Sequence, residues 1–309
     1  MLKNKKVYLS SLGSMGRKHL IGLLKIGCFV DAYDPDEKAF ELANKDIKNE
    51  KLETSNLVKV DKPNKKYDFA IFSETVPSRL KNFKKFLKNS YAKKILLEKP
   101  LSANPYDYEG FLKLAQEKGM EKNVQVNFIR RSWPHVQKIY DYCRDEKELV
   151  MTINGGAIGI GCNGIHYIDK FVYLSNEERP TLSWVKLSKE IIKSGRGEQF
   201  YDYGGSFILT SSKGACFASI SSNSSSNVIM TIRGKHFIIT VDYNTHSWKI
   251  LQRSKHSNLP IHRYGSEYEV IEDGFFEIPS ISLFIENWID EKLSLPNLKI
   301  ANLSHKCLY

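Results

Sequence analysis

The feature that most constrains the fold is a regular alternation of strand-like and helix-like segments over the first 120 residues. Short apolar runs typical of buried strands each lead into a segment whose apolar residues have helical spacing. The strand-like runs are 7–10, 29–33, 68–72 and 95–97, and the helical segments are 20–24, 35–45, 78–89 and 111–118. Strands that alternate with helices are joined by right-handed crossovers, so the pattern predicts a parallel sheet. Residues 45–66 have little pattern, and a strand placed there is an extrapolation.

The rest of the chain has a different pattern. Beyond residue 180, longer strand-like runs are separated by hairpin signals. The predicted antiparallel pairs are 207–210 with 216–220, and 228–232 with 237–241. A strand at 123–128 leads into this half, and the Ser/Asn-rich segment 219–227 is typical of an exposed connection. A late amphipathic helix is predicted at 281–292.

Composition excludes several classes of protein. With 41% hydrophobic and 26% charged residues, the 309-residue chain is too apolar for disorder, and no stretch approaches the ~20 apolar residues of a membrane span. The first apolar run, 7–9, is too short for a signal peptide, so we expect a cytoplasmic protein without a membrane partner. The five cysteines are scattered and form no CxxC pair, which excludes a disulfide scaffold and gives no support to a structural zinc site.

The net charge of +11 suggests nucleic-acid binding, but the distribution of basic residues argues against it. Only ten of the 46 basic residues are arginine, the side chain that reads guanine and binds phosphate in bidentate fashion. The densest basic segment, 81–88, has lysines at helical spacing opposite Leu80, Phe83 and Leu87, as expected for the solvated face of a helix. We therefore expect no nucleic-acid partner, although the charge favours anionic small molecules. A basic nucleic-acid binder stays open as a minor alternative.

A glycine-containing turn directly follows the first strand. Ser11-Leu12-Gly13-Ser14-Met15-Gly16 matches the G-x-G-x-x-G phosphate-binding pattern with serine at the first position. Gly13 would let the backbone approach a pyrophosphate at the helix N-terminus, and Gly16 would allow close packing of helix on strand. Ser11 either avoids a positive φ angle or tolerates strain of about 1 kcal/mol.

An acidic residue stands where dinucleotide-binding domains carry one. Asp34 ends the second strand, 18 residues after Gly16, where a carboxylate can accept hydrogen bonds from the adenosine ribose hydroxyls. A carboxylate there repels a 2′-phosphate, so we expect NAD as the cofactor and NADP less often. The alternative is that 34–36 merely caps the next helix.

Two further segments carry candidate chemistry. Glu98-Lys99-Pro100 follows the strand 95–97, at the sheet edge where doubly wound folds bind ligands, although such a triplet alone is typical of a surface turn. Five glycines between 154 and 166 lead into a predicted helix in which Cys162, His166 and Asp169 share one face. Three candidate ligands on one helix, with no partner pair elsewhere, make a zinc site the less favoured interpretation, and a lone histidine is more often structural.

Taken together, these segments resemble the Gfo/Idh/MocA family of NAD(P)-dependent oxidoreductases. The matching pieces span residues 7–170 in order. They are Gly13 and Gly16 with His19, Asp34, Asp68, Glu98-Lys99-Pro100, Arg130-Arg131 and Gly164-Ile165-His166-Tyr167-Ile168-Asp169. The resemblance implies hydride transfer between a secondary alcohol, usually on a sugar or cyclic polyol, and the nicotinamide.

The resemblance also implies roles for residues. Lys99 positions the substrate hydroxyl, and His166 is the general base that takes its proton. A histidine with an ordinary pKa of ~6.5 is suited to accept that proton, and a nearby ammonium stabilises the developing alkoxide. The cofactor residues are Ser11, Gly13, Ser14, Met15, Gly16, Asp34, Ser73 and Glu98, and the substrate residues are Arg131, Trp133, Asn163 and Asp169. Trp133 is equally consistent with a packing corner.

The sequence departs from the family pattern at a few positions. Cys162, which we count among the catalytic residues, stands where the family usually has aspartate, one helical turn before the histidine. Glu74-Thr75 replaces a common Thr-Pro, and Arg79 replaces a common histidine. A thiol with an ordinary pKa of ~8.5 is mostly neutral at pH 7 and would support a protonated His166 less well than a carboxylate.

The predicted fold class is α/β, with a Rossmann-type doubly wound parallel sheet in residues 1–122. Residues 123–309 are expected to form an α+β substrate domain with a large, mostly antiparallel sheet. The expected activity is NAD-dependent oxidation or reduction of a sugar, sugar nucleotide or cyclic polyol. The alternative is a dinucleotide-binding sensor or scaffold of the same fold that has lost turnover. Relatives commonly associate through the outer face of the second sheet, so a homo-oligomer is expected.

Overall fold

The computed structural model describes residues 4–156, 158–193, 200–261 and 267–309. The strands are β1 (Lys6–Ser10), β2 (Phe29–Tyr33), β3 (Leu57–Lys59), β4 (Lys66–Phe72), β5 (Tyr91–Leu97), β6 (Val124–Val126), β7 (Leu149–Gly156), β8 (Thr181–Lys193), β9 (Tyr201–Ser211), β10 (Gly214–Ser221), β11 (Ile229–Arg233), β12 (Phe237–Asp242), β13 (Ser247–Arg253) and β14 (Tyr268–Phe275). The helices are α1 (Ser14–Lys25), α2 (Glu37–Asn49), α3 (Val76–Asn89), α4 (Pro105–Glu117), α5 (Pro134–Cys143), α6 (Ile160–Leu174), α7 (Ile281–Ile289) and α8 (Leu298–Lys306). A short 3₁₀ helix covers Ile129–Ser132.

The chain forms two compact units. The first contains the residues up to Ile129 together with Pro279–His305 and Tyr309, and the second contains Arg130–Ile278 and Lys306–Leu308. The predicted ranges differ from these units at both ends of the second domain. The strand predicted at 123–128 forms β6, the last strand of the first sheet, rather than an entry into the second unit.

The first unit is built on a six-stranded parallel sheet with the order β3-β2-β1-β4-β5-β6. Its central strands are buried and apolar because helices cover the sheet, as a parallel sheet requires. Gly27, at φ 76°, lies just beyond the end of α1, where a glycine commonly ends a helix. The extrapolated strand in 45–66 exists as the three-residue β3.

The late helix belongs to this first unit. Phe284, Ile285 and Trp288 of α7 share one apolar core with Leu20 and Leu23 of α1. Trp288 Nε1 also donates a hydrogen bond of 2.8 Å to the amide oxygen of Gln125 in β6. The chain therefore returns to its first sheet after residue 278, which the predicted domain ranges did not foresee.

The second unit is built on an eight-stranded sheet with the order β14-β13-β12-β11-β7-β10-β9-β8. All neighbours are antiparallel except β7 and β10. Both predicted hairpins are present, as β9–β10 and β11–β12. Strand β7 was not predicted, because its last two residues are glycines that read as a loop. A Cβ on Gly156 would lie 2.2 Å from the carbonyl oxygen of Ser224, so close packing requires glycine there.

The predicted fold class is confirmed. A parallel, doubly wound sheet and a separate, mostly antiparallel sheet with helices are both present. None of the helices formed by the described residues combines the length and the apolar character needed to cross a membrane.

Candidate functional site

Four of the expected cofactor residues lie along one edge of the first sheet. Ser10 is in register with Tyr33 and with Phe72, and Phe72 is in register with Leu97. The residues that follow these strand ends therefore lie next to one another at the carboxyl edge. We call this edge the sheet rim; it consists of Ser11, Asp34, Ser73 and Glu98. Open parallel sheets bind ligands at such a rim.

Ser11 adopts the left-handed backbone conformation expected of the glycine that it replaces. Its φ angle is 74°, so the position tolerates strain rather than avoiding the conformation. The Ser11 N–H donates to the carbonyl oxygen of Tyr33 (2.7 Å), and its Oγ donates to Asp34 Oδ2 (3.2 Å). The end of the neighbouring strand β2 therefore holds the turn in place.

The two glycines of the turn differ in how closely the rest of the chain packs against them. A Cβ on Gly16 would lie 2.0 Å from the carbonyl oxygen of Ser11 and 2.8 Å from Ser73 Oγ, so packing within the chain requires glycine. A Cβ on Gly13 would meet only Ser11 Oγ, at 3.8 Å, and the φ angle of Gly13 is −59°. Nothing in the described part of the chain itself requires glycine at position 13.

The N-terminus of α1 is open. Within the described residues, no side chain accepts a hydrogen bond from the first turn of α1, and that turn carries no acidic residue. Asp36 caps α2, Asn104 caps α4 and Ser280 caps α7, whereas α3 and α5, which carry a proline in the first turn, also lack a side-chain cap. Free backbone N–H groups at a helix N-terminus form an anion-binding site. The open end of α1 fits one phosphate group of a dinucleotide, and a side chain at position 13 would intrude on such a ligand.

Asp34 organises this turn instead of capping the next helix. Its Oδ2 accepts the N–H of Leu12 (2.7 Å), and its Oδ1 accepts the N–H of Asp36 (2.9 Å). The cap of α2 is Asp36, which accepts the N–H of Lys38. The alternative interpretation, that residues 34–36 cap the next helix, therefore applies to Asp36. The half-buried carboxylate of Asp34 lies at the turn, where the ribose interaction was predicted.

Ser73 and Glu98 hold the rim from the neighbouring strands. The Oγ of Ser73 lies 2.9 Å from the carbonyl oxygens of both Ser10 and Ser11. The Glu98 side chain is 4% exposed and accepts a hydrogen bond of 2.5 Å from the amide of Asn127. Its Oε1 also lies 2.8 Å from His19 Nε2. Both side chains form hydrogen bonds with other groups of the protein, so they stabilise the structure of the rim.

The ionised form of Glu98 is favoured. Burial opposes ionisation, but His19 through its hydrogen bond and charge, the Asn127 amide and the charge of Lys99 outweigh it, and the pKa of Glu98 falls to about 2. The carboxylate therefore joins α1, β5 and β6 at the position just before Lys99.

The segment after Lys99 is held from two directions. The buried guanidinium of Arg79 donates to the carbonyl oxygens of Pro100 and Leu101, and also to that of Glu74. His305 Nε2 accepts the N–H of Leu101 (2.9 Å), while its Nδ1 donates to the carbonyl oxygen of Ala301 (2.8 Å). Burial lowers the pKa of His305 to about 4, which agrees with a neutral ring that both accepts and donates. The Lys99–Pro100 peptide bond is cis.

Glu74 is a buried carboxyl group that the sequence analysis did not place in the site. It is 5% exposed and accepts hydrogen bonds from Ser10 Oγ and from Asn82 Nδ2 (2.9 Å). Burial raises the pKa of Glu74 above its usual range, although these hydrogen bonds and the charge of Arg79 oppose the shift. Glu74 and Arg79, which both stand at departures from the family pattern, are thus linked through the loop that follows β4.

In the second unit, the glycine-rich segment leads into α6. The helix begins at Ile160, early enough to put Cys162, His166 and Asp169 on one helix, as predicted. The carboxylate of Asp202 accepts the N–H groups of Gly161 (2.7 Å) and Cys162 (3.1 Å), so it caps the helix.

Gly159 leaves room for this cap. A Cβ on Gly159, the residue before the helix, would lie 1.8 Å from Asp202 Cγ, so glycine there lets the carboxylate approach without displacement of the Asp202 side chain. The small residues before α6 thus leave room for the Asp202 carboxylate of β9 to reach the N-terminus of the helix.

Asp169 and Arg131 form a bidentate ion pair. Arg131 Nε and Nη2 lie 2.9 and 2.6 Å from the two carboxylate oxygens, and both side chains are largely buried. Arg131 also lies over the ring of Tyr173. Two of the four expected substrate residues therefore bind each other. Their ion pair fixes α6 to the segment that contains Arg131.

The other expected residues of this unit lie nearby along the chain. His166 is 8% exposed on α6, and Cys162 and Asn163 are partly buried at its start. Trp133 is 8% exposed and directly precedes α5, as a packing corner would, and the guanidinium of Arg130 lies 5.5 Å from its ring centre. No group of three or more His, Cys, Asp or Glu side chains among the described residues is arranged to hold a metal ion.

Sequence reasoning missed Asn127, His305 and Asp202. Each contacts the site from a distant part of the chain: 29 residues separate Asn127 from Glu98, 204 separate His305 from Leu101, and 41 separate Asp202 from Gly161. No local motif surrounds any of the three. His19 was noted only as part of the resemblance, and nothing in the sequence paired it with Glu98.

The comparisons with known proteins are informative only at the level of structure. No protein-family model matches the sequence, and a search of curated proteins found no match either. The structure, however, superposes on solved structures along almost its whole length.

Two of these solved structures are dehydrogenases. The UDP-N-acetylglucosamine 3-dehydrogenase GnnA from Acidithiobacillus ferrooxidans gives a TM-score of 0.70 at 13% identity, covering 99% of this chain and 96% of that one. The myo-inositol dehydrogenase from Lactobacillus casei, solved with NAD(H) and myo-inositol, gives 0.63 at 17% identity, covering 98% and 93%.

A third solved structure is a regulator. The transcriptional regulator Gal80p from Kluyveromyces lactis gives a TM-score of 0.66 at 12% identity, covering 98% of this chain and 87% of that one. The same architecture therefore occurs in both dehydrogenases and a regulator, and identities this low compare folds only. The chain has the two-domain fold of the Gfo/Idh/MocA-type oxidoreductases, as the resemblance in its sequence predicted.

Proposed function

We propose that this protein is a nicotinamide-dinucleotide-dependent oxidoreductase that acts on a secondary hydroxyl or keto group of a sugar, sugar nucleotide or cyclic polyol. The observation that carries the proposal is the open N-terminus of α1, framed by the turn 11–16 and followed at the same rim by Lys99. The likeness to dehydrogenases, one of them solved with NAD(H), supports it at the level of fold.

The first turn of α1 and the sheet rim would bind different parts of the cofactor. The backbone N–H groups of Ser14, Met15 and Gly16 would bind a phosphate group, because no side chain among the described residues occupies them. The carboxylate of Asp34 would accept hydrogen bonds from the ribose hydroxyls. It would also repel a 2′-phosphate, so we assign NAD rather than NADP.

When bound, the dinucleotide supplies the hydride acceptor, the C4 atom of the nicotinamide. Lys99 would orient the substrate hydroxyl and stabilise the negative charge that develops on its oxygen. His166 would take the hydroxyl proton on oxidation and return it on reduction. Glu98, Arg79 and His305 act through Lys99 by fixing the segment on either side of it.

A second candidate function is a dinucleotide-binding regulator without turnover. The likeness to Gal80p and the presence of Cys162 at the usual aspartate position favour it. It predicts uptake of dinucleotide without any change in NADH absorbance.

We also propose that the protein forms a homo-oligomer through the sheet of the second unit. Large apolar side chains are exposed along this sheet, including Val185 at 50%, Phe217 at 44% and Val270 at 55%. Exposed apolar surface on a soluble domain is typical of contact sites between chains.

Calorimetric titration with NAD, NADH, NADP and NADPH, followed by NADH absorbance with a panel of sugars, cyclic polyols and nucleotide sugars, tests the proposal. We expect binding of NAD and turnover of at least one compound. The variants Lys99→Ala and His166→Ala should each lower turnover by roughly 10²-fold or more, because each removes a proton-transfer or charge-stabilising group.

Matched controls are available in the chain. Lys118→Ala and His256→Ala remove the same side-chain types from exposed positions and should leave turnover unchanged. Unchanged rates in both Lys99→Ala and His166→Ala would remove the catalytic assignment. A failure to bind any of the four dinucleotides would overturn the proposed function as a whole.

A further inference from the structure

The most unusual side chain in the second unit is a buried lysine that no step above uses. Lys170 is one turn beyond His166 on α6 and is 2% exposed. Its ammonium nitrogen donates to the hydroxyl of Tyr243 and lies 4.1 Å from the centre of that ring. Lysine is almost never fully buried without a charged partner, so its position calls for a reason.

The charges around Lys170 do not balance. The charged groups near it are Arg130 on the 3₁₀ helix and Asp169 on α6 itself. The carboxylate of Asp169 is engaged in both oxygens by Arg131. In the described part of the chain, no carboxylate pairs with Arg130 or with Lys170, which leaves two basic groups without an acidic partner.

The other groups that face Lys170 are aromatic or neutral. Tyr243 follows β12, Tyr167 belongs to α6, and His135 comes from α5. Burial, the charge of Lys170 and the charge of His246 lower the pKa of His135 to about 3, so this ring is uncharged. Nothing on the neighbouring elements therefore offers a negative charge.

The same cluster contains polar atoms that lack a partner. Across the described residues, neither ring nitrogen of the 3%-exposed His135 has a hydrogen-bond partner, and neither does Trp133 Nε1. Native proteins satisfy nearly all of their buried polar atoms. A ligand with anionic oxygens would provide the missing partner for two basic groups and for hydrogen-bond donors among these unpartnered atoms.

We propose that the substrate carries an anionic group, a carboxylate or a phosphate, and that Arg130 and Lys170 receive it. The inference rests on the proposed function, since it concerns the substrate on which His166 acts. Lys170 lies four residues after His166 on α6, so the two side chains lie on the same helix face. Arg130 is partly exposed and would make the first contact. A neutral polyol offers these basic groups no negative charge, whereas an acidic sugar does.

The protonation state of Lys170 adds a measurable signature. Burial, together with the charge of Arg130, lowers the pKa of Lys170 well below its usual range, and Asp169 opposes this only in part. An anion beside the amine favours its charged form, so binding should take up a proton.

The experiment is calorimetric titration at saturating NAD with matched sugars: glucose, glucuronate and glucose 6-phosphate, and the corresponding galactose series. Each titration is run at one pH in Tris and in HEPES, whose ionisation heats differ, so that the proton uptake can be extracted. We expect the acidic member of at least one series to bind at least tenfold more tightly than the neutral sugar, with proton uptake. The carboxylate and phosphate arms distinguish the two sources of the anionic oxygens.

The variant Lys170→Met keeps a side chain of similar length and removes the amine. It should lose both the acid preference and the proton uptake, and Arg130→Gln should weaken the acid preference. Lys249→Met is the matched control, because Lys249 is an exposed lysine of the same unit that pairs with Asp273 (3.2 Å). A thermal unfolding scan of each variant confirms that it is folded.

The outcomes are separable. Equal affinity within every series, failure of every acid to bind, or an acid preference that survives in Lys170→Met would overturn this inference. If NAD itself does not bind in the same titrations, the proposed function fails. NAD binding without acid preference overturns only the inference on the substrate.

Discussion

Helices α1 and α6 each directly follow a glycine, and their N-termini differ in how they are capped. Gly13 precedes α1 and Gly159 precedes α6, and neither glycine has a side chain to cap its helix. The first turn of α1 is left open within the described residues. The first turn of α6 is closed by the carboxylate of Asp202, which comes from another strand.

This difference separates two uses of glycine that look alike in the sequence. At α1, the glycine at the start of the helix has free space around its missing Cβ, so a ligand can approach the N–H groups. At α6, the same space is filled by Asp202 Cγ, and the positive end of the helix is already compensated. A glycine-rich helix start therefore indicates an anion site only where no side chain of the protein has taken it.

The largest effect is expected from removing the group that fixes α1 to the rim. His19→Leu leaves the buried carboxylate of Glu98 without the imidazole at 2.8 Å and should lower the free energy of unfolding by about 3 kcal/mol. Urea denaturation at pH 7 measures the loss, and amide hydrogen exchange should place it in α1. His256→Leu, which changes an exposed histidine, is the control and should have little effect.

The pH dependence of this variant checks the cause. In the native protein the pKa of Glu98 is about 2, so the stability from its ionised form is present above its ordinary pKa of ~4.3 and is lost as the pH falls toward 2. The difference between the native protein and His19→Leu should therefore be largest near pH 7 and shrink below about pH 4. A difference that does not depend on pH would mean that His19 acts by packing alone.

Substitution of the two glycines of the α1 turn should have intermediate effects, and it separates the packing role of one glycine from the proposed cofactor role of the other. Gly16→Ala forces a Cβ to within 2.0 Å of the carbonyl oxygen of Ser11, so it should destabilise the protein by about 1–3 kcal/mol. Gly13→Ala meets nothing closer than 3.8 Å and should leave the stability nearly unchanged while weakening NAD binding. Thermal unfolding and calorimetry measure the two properties separately. If Gly13→Ala binds NAD as tightly as the native protein does, the free space above α1 is not the cofactor site.

Local sequence patterns were sufficient for the rim. The turn 11–16, the acid at Asp34 and the triplet 98–100 all lie within a few residues of a strand end, so the register of a parallel sheet brings them together. The alternation of strands and helices and both hairpins followed from periodicity for the same reason, since each depends on short segments.

Contacts between distant segments could not be predicted from such patterns. The side chains of His305 and Asp202 reach the site across long sequence separations, and each stands in a segment without a motif of its own. The return of α7 to the first unit depends on which apolar face its residues meet, and periodicity does not specify a partner. The pairing of Arg131 with Asp169 likewise needed the geometry, because both residues fitted a substrate contact equally well in the sequence.

The smallest effect is expected from removal of the side chain that caps α6, which tests the comparison of the two helix starts. Asp202→Ala removes the carboxylate that accepts the N–H groups of Gly161 and Cys162, which should cost about 0.5–2 kcal/mol of stability. Amide exchange should accelerate in the first turn of α6 and not in α1, whereas Asp202→Asn keeps an accepting oxygen and should restore most of the protection. Because the carboxylate also occupies the space beside Gly159, Gly159→Ala should be destabilising in the native protein and nearly neutral in Asp202→Ala. Independent, additive effects of the two substitutions would show that Asp202 does not explain the glycine, and the contrast between the two helix starts would then need another cause.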